Sequence, residues 1–355
     1  MKYSLIALLL ACGMTTPLTA TRYYVSSTGS ATTSGLSWSA ATTLERALDL
    51  ATSGDEVWAR QGVYTLRKND RSASFVLPAG VRLRGGFTGT EARAADRPRG
   101  YARTVLSGEL GVTGDLQDNA YTVVKLLSNA AAPSLLEGFT IREGSARNYQ
   151  DGFRAGSAGG GLWIAAPTSG SPAHQIVNCA FRRNTAHNGG AVYLAGGQPR
   201  FTNCIFMSNT ADYNGGAVYN DGRQYASGPI FDGCSFVNNA SKSGGALTNN
   251  GAHGEAVILV KDSEFRDNVV QLNGAAVYNC GTETGTADAI LEGCSFSGNE
   301  TVLGDVIASD AMGDVIVAGP STTGTASTGG RKTLAPGRRK LTPTRKKLSP
   351  TVRKR

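Results

Sequence analysis

Histidine is nearly missing from this sequence: His174, His187 and His253 are the only three, far apart, with no cysteine at a ligand spacing from any of them. That excludes a zinc site of the usual Cys/His kind. Beyond residue 20 no apolar run is long enough for a bilayer-spanning helix. Charged residues make up only 17% of the chain. Apolar residues three and four apart, the mark of a helical repeat, are missing from its second half. Glycine, at 46 residues, is plentiful, and such a composition suits one turn-rich, elongated domain rather than several globular ones.

What is present instead is a repeat. Phe181, Phe206, Phe236, Phe265 and Phe296 recur at spacings of 25, 30, 29 and 31, each followed three residues later by Asn184, Asn209, Asn239, Asn268 or Asn299. Five or six residues on comes a pair of small residues and an apolar pair: Gly189 to Val192, Gly215 to Val218, Gly244 to Leu247, Gly274 to Val277 and, worn down, Gly304 to Ile307. Periods of this length belong to solenoids. Short runs with alternating apolar positions, separated by Asn and Gly, read as strands and turns. In Gln175 to Phe181 a period of two puts Val177, Cys179 and Phe181 on one face. One coil cannot bury that face alone. Coils stacked about 4.8 Å apart, paired strand to strand in parallel, enclose it as a single column. The expected fold is all-β, a right-handed parallel β-helix, with the phenylalanines stacked inside, the asparagines forming an amide ladder at the turn and the glycine pair supplying backbone angles that other residues resist.

The FxxN and GGA[ILV] motifs, as in Phe206 to Asn209 with Gly215 to Val218, resemble the repeats of polymorphic outer-membrane proteins and of the wider secreted, pectin-lyase-like β-helix proteins. Gly35-Leu36-Ser37-Trp38, Gly54 to Trp58, Gly62-Val63-Tyr64, Arg84 to Phe87 and Leu136 to Ile141 look like the opening of such proteins, so the resemblance covers most of residues 23 to 310. It implies the architecture. It leaves activity open, since the family includes adhesins, structural surface proteins and polysaccharide-degrading enzymes.

The sequence divides accordingly. Residues 1–20 read as a secretory signal: Lys2, an apolar run from Leu5 to Ala11, then Leu18-Thr19-Ala20 before the cut. Leu9-Leu10-Ala11-Cys12 also resembles a lipoprotein cleavage box, which would leave a lipidated Cys12. The β-helix is expected over 21–316, clearest at 175–310, with a capping helix at about 39–53. There Thr42-Thr43-Leu44-Glu45 fits a capping box, and Leu44, Ala47, Leu48 and Ala51 share a face that would close the open end of the first coil. Cys179, Cys204, Cys234 and Cys294 share one slot, two residues before the Phe, which Ser263 fills in the remaining copy. Parallel in-register side chains rarely reach disulfide geometry, so these are expected to be buried free thiols.

Residues 317–330 have linker composition. Residues 331–355 hold eleven of the 35 basic residues and no acidic one, leaving 24 basic against 27 acidic residues, or minus 3, for the rest. The tail runs in proline-punctuated heptads: Arg331 and Lys332; Arg338, Arg339 and Lys340; Arg345, Lys346 and Lys347; then Arg353, Lys354 and Arg355. Proline forbids a continuous helix, and like charges keep the free segment extended and disordered. The tail reads either as a contact for a polyanion, such as lipopolysaccharide, acidic polysaccharide, nucleic acid or an anionic membrane, which the regular heptads favour, or as a solubilising or removable segment with no dedicated partner.

Two surfaces of the rod are candidate ligand sites. If Val192, Val218, Leu247 and Val277 face inward, the residues that follow them, Tyr193, Tyr219, Thr248 and Tyr278, face outward as a partial aromatic ladder suited to stacking on sugars, or simply to stabilising the sheet. The insertion between Ile141 and Gly159 carries Arg142, Arg147, Tyr149, Asp151, Phe153 and Arg154. No catalytic, cofactor or metal residue is assigned. The repeats hold no adjacent Asp pair for hydrolysis, and Asp212, Asp221, Asp232, Asp262 and Asp267 occupy different slots, so no coil position gathers carboxylates for calcium-assisted proton abstraction. Ala252-His253-Gly254-Glu255 reads as a turn. The sequence thus favours an exported, non-catalytic surface rod, with a polysaccharide lyase or hydrolase as the alternative.

Overall fold

In the computed structural model, the described residues are 20–66, 70–98, 103–127, 132–148, 157–165, 173–282, 284–310 and 314–318, with the backbone of 328–329. The signal, Cys12, nearly all of the linker and the basic tail lie outside them, as do Tyr149, Asp151, Phe153 and Arg154.

The chain winds as a parallel β-helix. Among the described residues its strands fall into four sheets of ten, eight, six and nine, ordered by coil. A complete coil visits the sheets in a fixed sequence, as in Gln175–Val177 (first sheet), Ala180–Arg182 (second), Thr185–Asn188 (third) and Val192–Leu194 (fourth). Pairing to the next coil is parallel and in register, with Phe181 opposite Phe206 and Val192 opposite Val218.

The corners explain one departure from simple alternation. Ile176, Cys179 and Phe181 are buried, whereas Val177 is only half-buried. Asn178 is the reason: it adopts φ 51° and turns the chain, resetting which residues point inward. Asn203, Gly233, Asp262 and Gly293 repeat this corner, and Arg183, Ser208, Asn238, Asp267 and Gly298 make a second one just before the asparagine ladder. Short polar side chains and glycine tolerate this left-handed region most readily, and of the residues at these corners Arg183 alone has a long side chain. Each strand between two such corners is therefore only three residues long.

The phenylalanine column is continuous. Ring centroids are 5.1, 4.8, 4.7 and 5.2 Å apart from Phe181 through Phe206, Phe236 and Phe265 to Phe296. A shorter stack, Phe201 on Phe231 at 4.8 Å, packs edge-on against it. Beside the column the asparagine amides bond in series: Asn209 Nδ2 donates to Asn239 Oδ1 (3.0 Å) and to the Phe181 carbonyl (3.0 Å), and Asn239 repeats this one coil on, to Asn268 (2.9 Å) and Phe206 (3.0 Å). The thiols of Cys179, Cys204, Cys234 and Cys294 are free and buried, each near carbonyls of its own and the preceding coil. Burial pushes the Cys179 thiol up to about 12, which suppresses the thiolate needed for reaction.

Both glycines of each pair lack room for a Cβ, which on Gly189 or Gly215 would lie 2.1 or 2.2 Å from a carbonyl oxygen of the same turn, but they differ in backbone angle. The first carries the unusual backbone angle, φ 62° at Gly189 and 66° at Gly215. The second is there for space: a Cβ on Gly216 would lie 2.2 Å from the Gly245 carbonyl oxygen of the next coil.

At the amino-terminal end the helix Leu44–Leu50 buries Leu44, Ala47 and Leu48 against the first coil. Its N-cap is Thr43, whose hydroxyl accepts from the Arg46 amide, rather than Thr42 paired with Glu45. Thr42 is drawn instead into a bridge with Val25, its hydroxyl donating to the Ser30 carbonyl.

Candidate functional site

The tyrosines expected to face outward stand on the side of the fourth sheet away from the phenylalanine column, where Tyr193 and Tyr219 are buried and Tyr278 is half-buried. Tyr193 is 3% and Tyr219 1% exposed, their rings stacked at 5.6 Å and packed with Ala158 and the partly buried Trp163 and Ala195. Their hydroxyls are committed as well. Tyr193 Oη donates to Asp221 Oδ2 at 2.5 Å, Tyr219 Oη accepts from Asn250 Nδ2, and Tyr278 Oη bonds both oxygens of Asp310 at 3.1 Å. Burial, followed by the Asp221 charge, raises the Tyr219 phenol to about 12. Asp221 itself is held below the usual carboxylate range: burial opposes this, but the bonds from Arg223 and Tyr193 outweigh it. The stack and these bonds tie Tyr193 and Tyr219 into the sheet. A second amide ladder, Asn220 to Asn249 to Asn279 at 2.8 Å per step, runs one residue further along. Its signal was in the sequence, in the Asn that follows Tyr219, Thr248 and Tyr278, whereas Leu194 follows Tyr193.

A different group forms on the third sheet. Arg147 follows the strand Ser145–Ala146, and that strand pairs with Thr185–Asn188, which carries His187. On the other side, the register with Thr210–Asn214 slips between Ala186 and Asn188, so His187 faces two residues, Asp212 and Tyr213. Such a bulge re-aims side chains. Asp212 then bridges two neighbours, with Oδ1 2.9 Å from Arg147 and Oδ2 2.9 Å from His187 Nδ1. The Tyr213 ring, 48% exposed, lies 5.8 Å from the imidazole. Burial lowers the His187 pKa, the Asp212 charge opposing and the Arg147 charge reinforcing the shift.

Arg147 and Tyr213 are partly exposed on this face, while both imidazole nitrogens are shielded from solvent. Of the residues expected from sequence, Arg147 is thus placed in a cluster and Tyr193, Tyr219 and Tyr278 are not. His187 and Asp212 were missed because 25 residues separate them and only the bulge brings them together. Among the described residues no group of three or more His, Cys, Asp or Glu is placed to hold a metal ion, and no helix is long and apolar enough to cross a membrane.

No curated protein matches the chain. Among solved structures, the A-module of mannuronan C-5 epimerase AlgE4 from Azotobacter vinelandii is similar at 13% identity over 81% of this chain and 95% of that one, with a TM-score of 0.28, too low for anything to be carried across. Residues 203–221 match the Chlamydia polymorphic membrane protein repeat. They run from the Asn203 corner through Cys204, Phe206, Asn209 and the Gly215-Gly216 pair to Asp221, so the match spans the recurring part of one coil, of the kind the sequence motifs led one to expect.

Proposed function

We propose that this is an exported, surface-displayed β-helix rod, adhesin-like in role, that binds its ligand without transforming it. Its tail, from Arg331 to Arg355, contacts an anionic surface or polymer such as lipopolysaccharide, acidic polysaccharide or nucleic acid. The observation that carries this reading is the repeat match at residues 203–221, centred on a coil whose inward and corner residues recur in register along the rod. The tail's composition supports the second half, because clustered cations bind polyanions by releasing counterions. Arg147 and Tyr213 are the rod's own candidate contacts for a carbohydrate or host-surface ligand. Two measurements test the reading. Binding of the full chain to dextran sulfate should weaken steeply as salt rises, and an affinity indifferent to ionic strength sinks the role of the tail. Intact mass of the natural mature protein reports signal cleavage, lipidation at Cys12 and tail retention together.

The His187, Asp212 and Arg147 cluster favours a second reading, a polysaccharide lyase or hydrolase. Turnover of an acidic polysaccharide that is abolished by His187→Gln would establish it and overturn the non-catalytic one.

A further inference from the structure

The charge of the chain is unevenly distributed along its length. Residues 1–229 carry 21 basic and 15 acidic residues, residues 230–318 carry three and twelve, and residues 331–355 carry eleven and none. The net values are therefore plus 6, minus 9 and plus 11. The acidic third of the rod adjoins the cationic tail.

The outer face of the first sheet within that third has an unusual surface. Register places Ile230, Leu259, Ile290 and Ile316 in one row across four coils. All four point outward, the last 51% exposed. Ile230, Leu259 and Ile290 are half-buried, so the row is a partly exposed aliphatic strip on an outward sheet face. One flank of the row carries Asp232 and Glu292, on either side of Lys261. The other carries Val257 and Asp288, with Asp314 beside Asp288, and Glu255 lies beyond. Lys261 pairs with Glu292 and Arg200 with Asp232, so Glu255, Asp288 and Asp314 are the acidic excess on the face.

The chain also ends in the right place. Thr328–Gly329 pairs with Ile307–Ser309 on the fourth sheet, from which every coil passes into the first. The aliphatic row spans about 15 Å at the usual interstrand spacing, whereas the 26 residues after Gly329 reach roughly 85 Å when extended. Leu334, Leu341 and Leu348 each follow a cluster of cations, which matches an aliphatic row between acidic flanks. Proline every seven residues excludes a regular added strand, so the contact is made by side chains.

We infer that, when no outside polyanion is bound, residues 331–355 lie on this face, their leucines against Ile230, Leu259, Ile290 and Ile316 and their cations against Asp232, Glu255, Asp288, Glu292 and Asp314. The inference rests on the reading of the tail as a polyanion contact and gives that contact a regulator, because the rod's own face competes with the outside surface. A tethered segment is present at an effective concentration on the order of 1 mM. Even a contact with a Kd of about 0.1 mM then occupies the tail roughly ten-elevenths of the time, and apparent affinity for an outside polyanion falls about tenfold.

Carbodiimide cross-linking of the full chain, as an equal mixture of ¹⁵N-labelled and unlabelled protein at low salt, tests this directly. Lys332, Lys340, Lys346 and Lys347 should join Asp232, Glu255, Asp288, Glu292 or Asp314 within one copy, and the yield should drop at least tenfold in 1 M salt or excess dextran sulfate. Links spread evenly over carboxylates of residues 20–229, links of which half carry mixed labels and therefore join separate copies, or no links would each overturn it. The triple variant Glu255→Lys, Asp288→Lys and Glu292→Lys, all on the surface, should bind dextran sulfate about tenfold more tightly, and unchanged affinity also overturns it. If dextran sulfate binds the tail but no internal links form, the surface reading survives and this inference fails. If links form but neither the natural chain nor the variant binds dextran sulfate, the self-contact stands and the surface reading falls.

Discussion

Asn239 shows what a single residue carries in this molecule. Its Oδ1 accepts from the backbone amide and the side chain of Asn209 at 3.1 and 3.0 Å, while its Nδ2 donates to the Phe206 carbonyl and to Asn268. At a corner the main chain turns away from its neighbours, and this amide supplies the donors and acceptor that the backbone no longer presents in register. Asn239→Ala would leave several buried groups without partners, at a cost of about 1–3 kcal/mol for each unsatisfied group. The urea midpoint should fall accordingly, and a shift worth less than about 1 kcal/mol would mean the ladder is dispensable. His174 sets a pH dependence. Its Nδ1 accepts from the Ser134 amide, and burial lowers its pKa, as burial also does for His187. A base with a depressed folded pKa binds fewer protons folded than unfolded. Stability should therefore be full above about 6.5, the ordinary histidine value, and decline as pH falls toward the folded value. Urea midpoints at pH 7.5 and 5 would report the decline, and His174→Gln should remove part of it.

At the scale of the strand and its corner, a glycine needed for space and a glycine needed only for its backbone angle make separable predictions. Gly216→Ala drives a Cβ to 2.2 Å from one backbone oxygen and 2.6 Å from another, neither of which moves without breaking the coil contact. We expect a loss of at least about 3 kcal/mol. Gly54 has φ 99° but open space around it, so Gly54→Ala should cost only about 1–2 kcal/mol, the penalty of the angle alone. Equal losses in chemical denaturation would contradict the distinction. These elements also mark how far the sequence could be read. The phenylalanine column, the Asn ladder, the free thiols and the helix over the first coil follow from residue type and period, because stacking places like upon like. The inward face of Gln175 to Phe181 did not follow, since one left-handed residue, Asn178, resets the alternation. The tyrosine row misled for a related reason. A period of two gives the side of a sheet on which a ring stands, and says nothing of what packs over it. His187 and Asp212 were illegible because a one-residue slip, invisible to any repeat, brings them together.

For the molecule as a whole, stability is approximately a sum over coils and their interfaces. Middle coils have a neighbour above and below. The last strands of the first and second sheets, Val315–Ala318 and Ser295–Ser297, each pair on one edge only among the described residues. Amide exchange should be fastest there and slowest in the strands around Phe206 and Phe236. Uniform protection from end to end would instead mark one cooperative block. The in-register stacking of Phe206 on Phe236 and Phe236 on Phe265 also means that the top and bottom of a coil are nearly the same surface. Loss or duplication of a whole turn by recombination would thus rejoin compatible edges, so descendants of this gene are free to vary in rod length while each remaining rung keeps its partners.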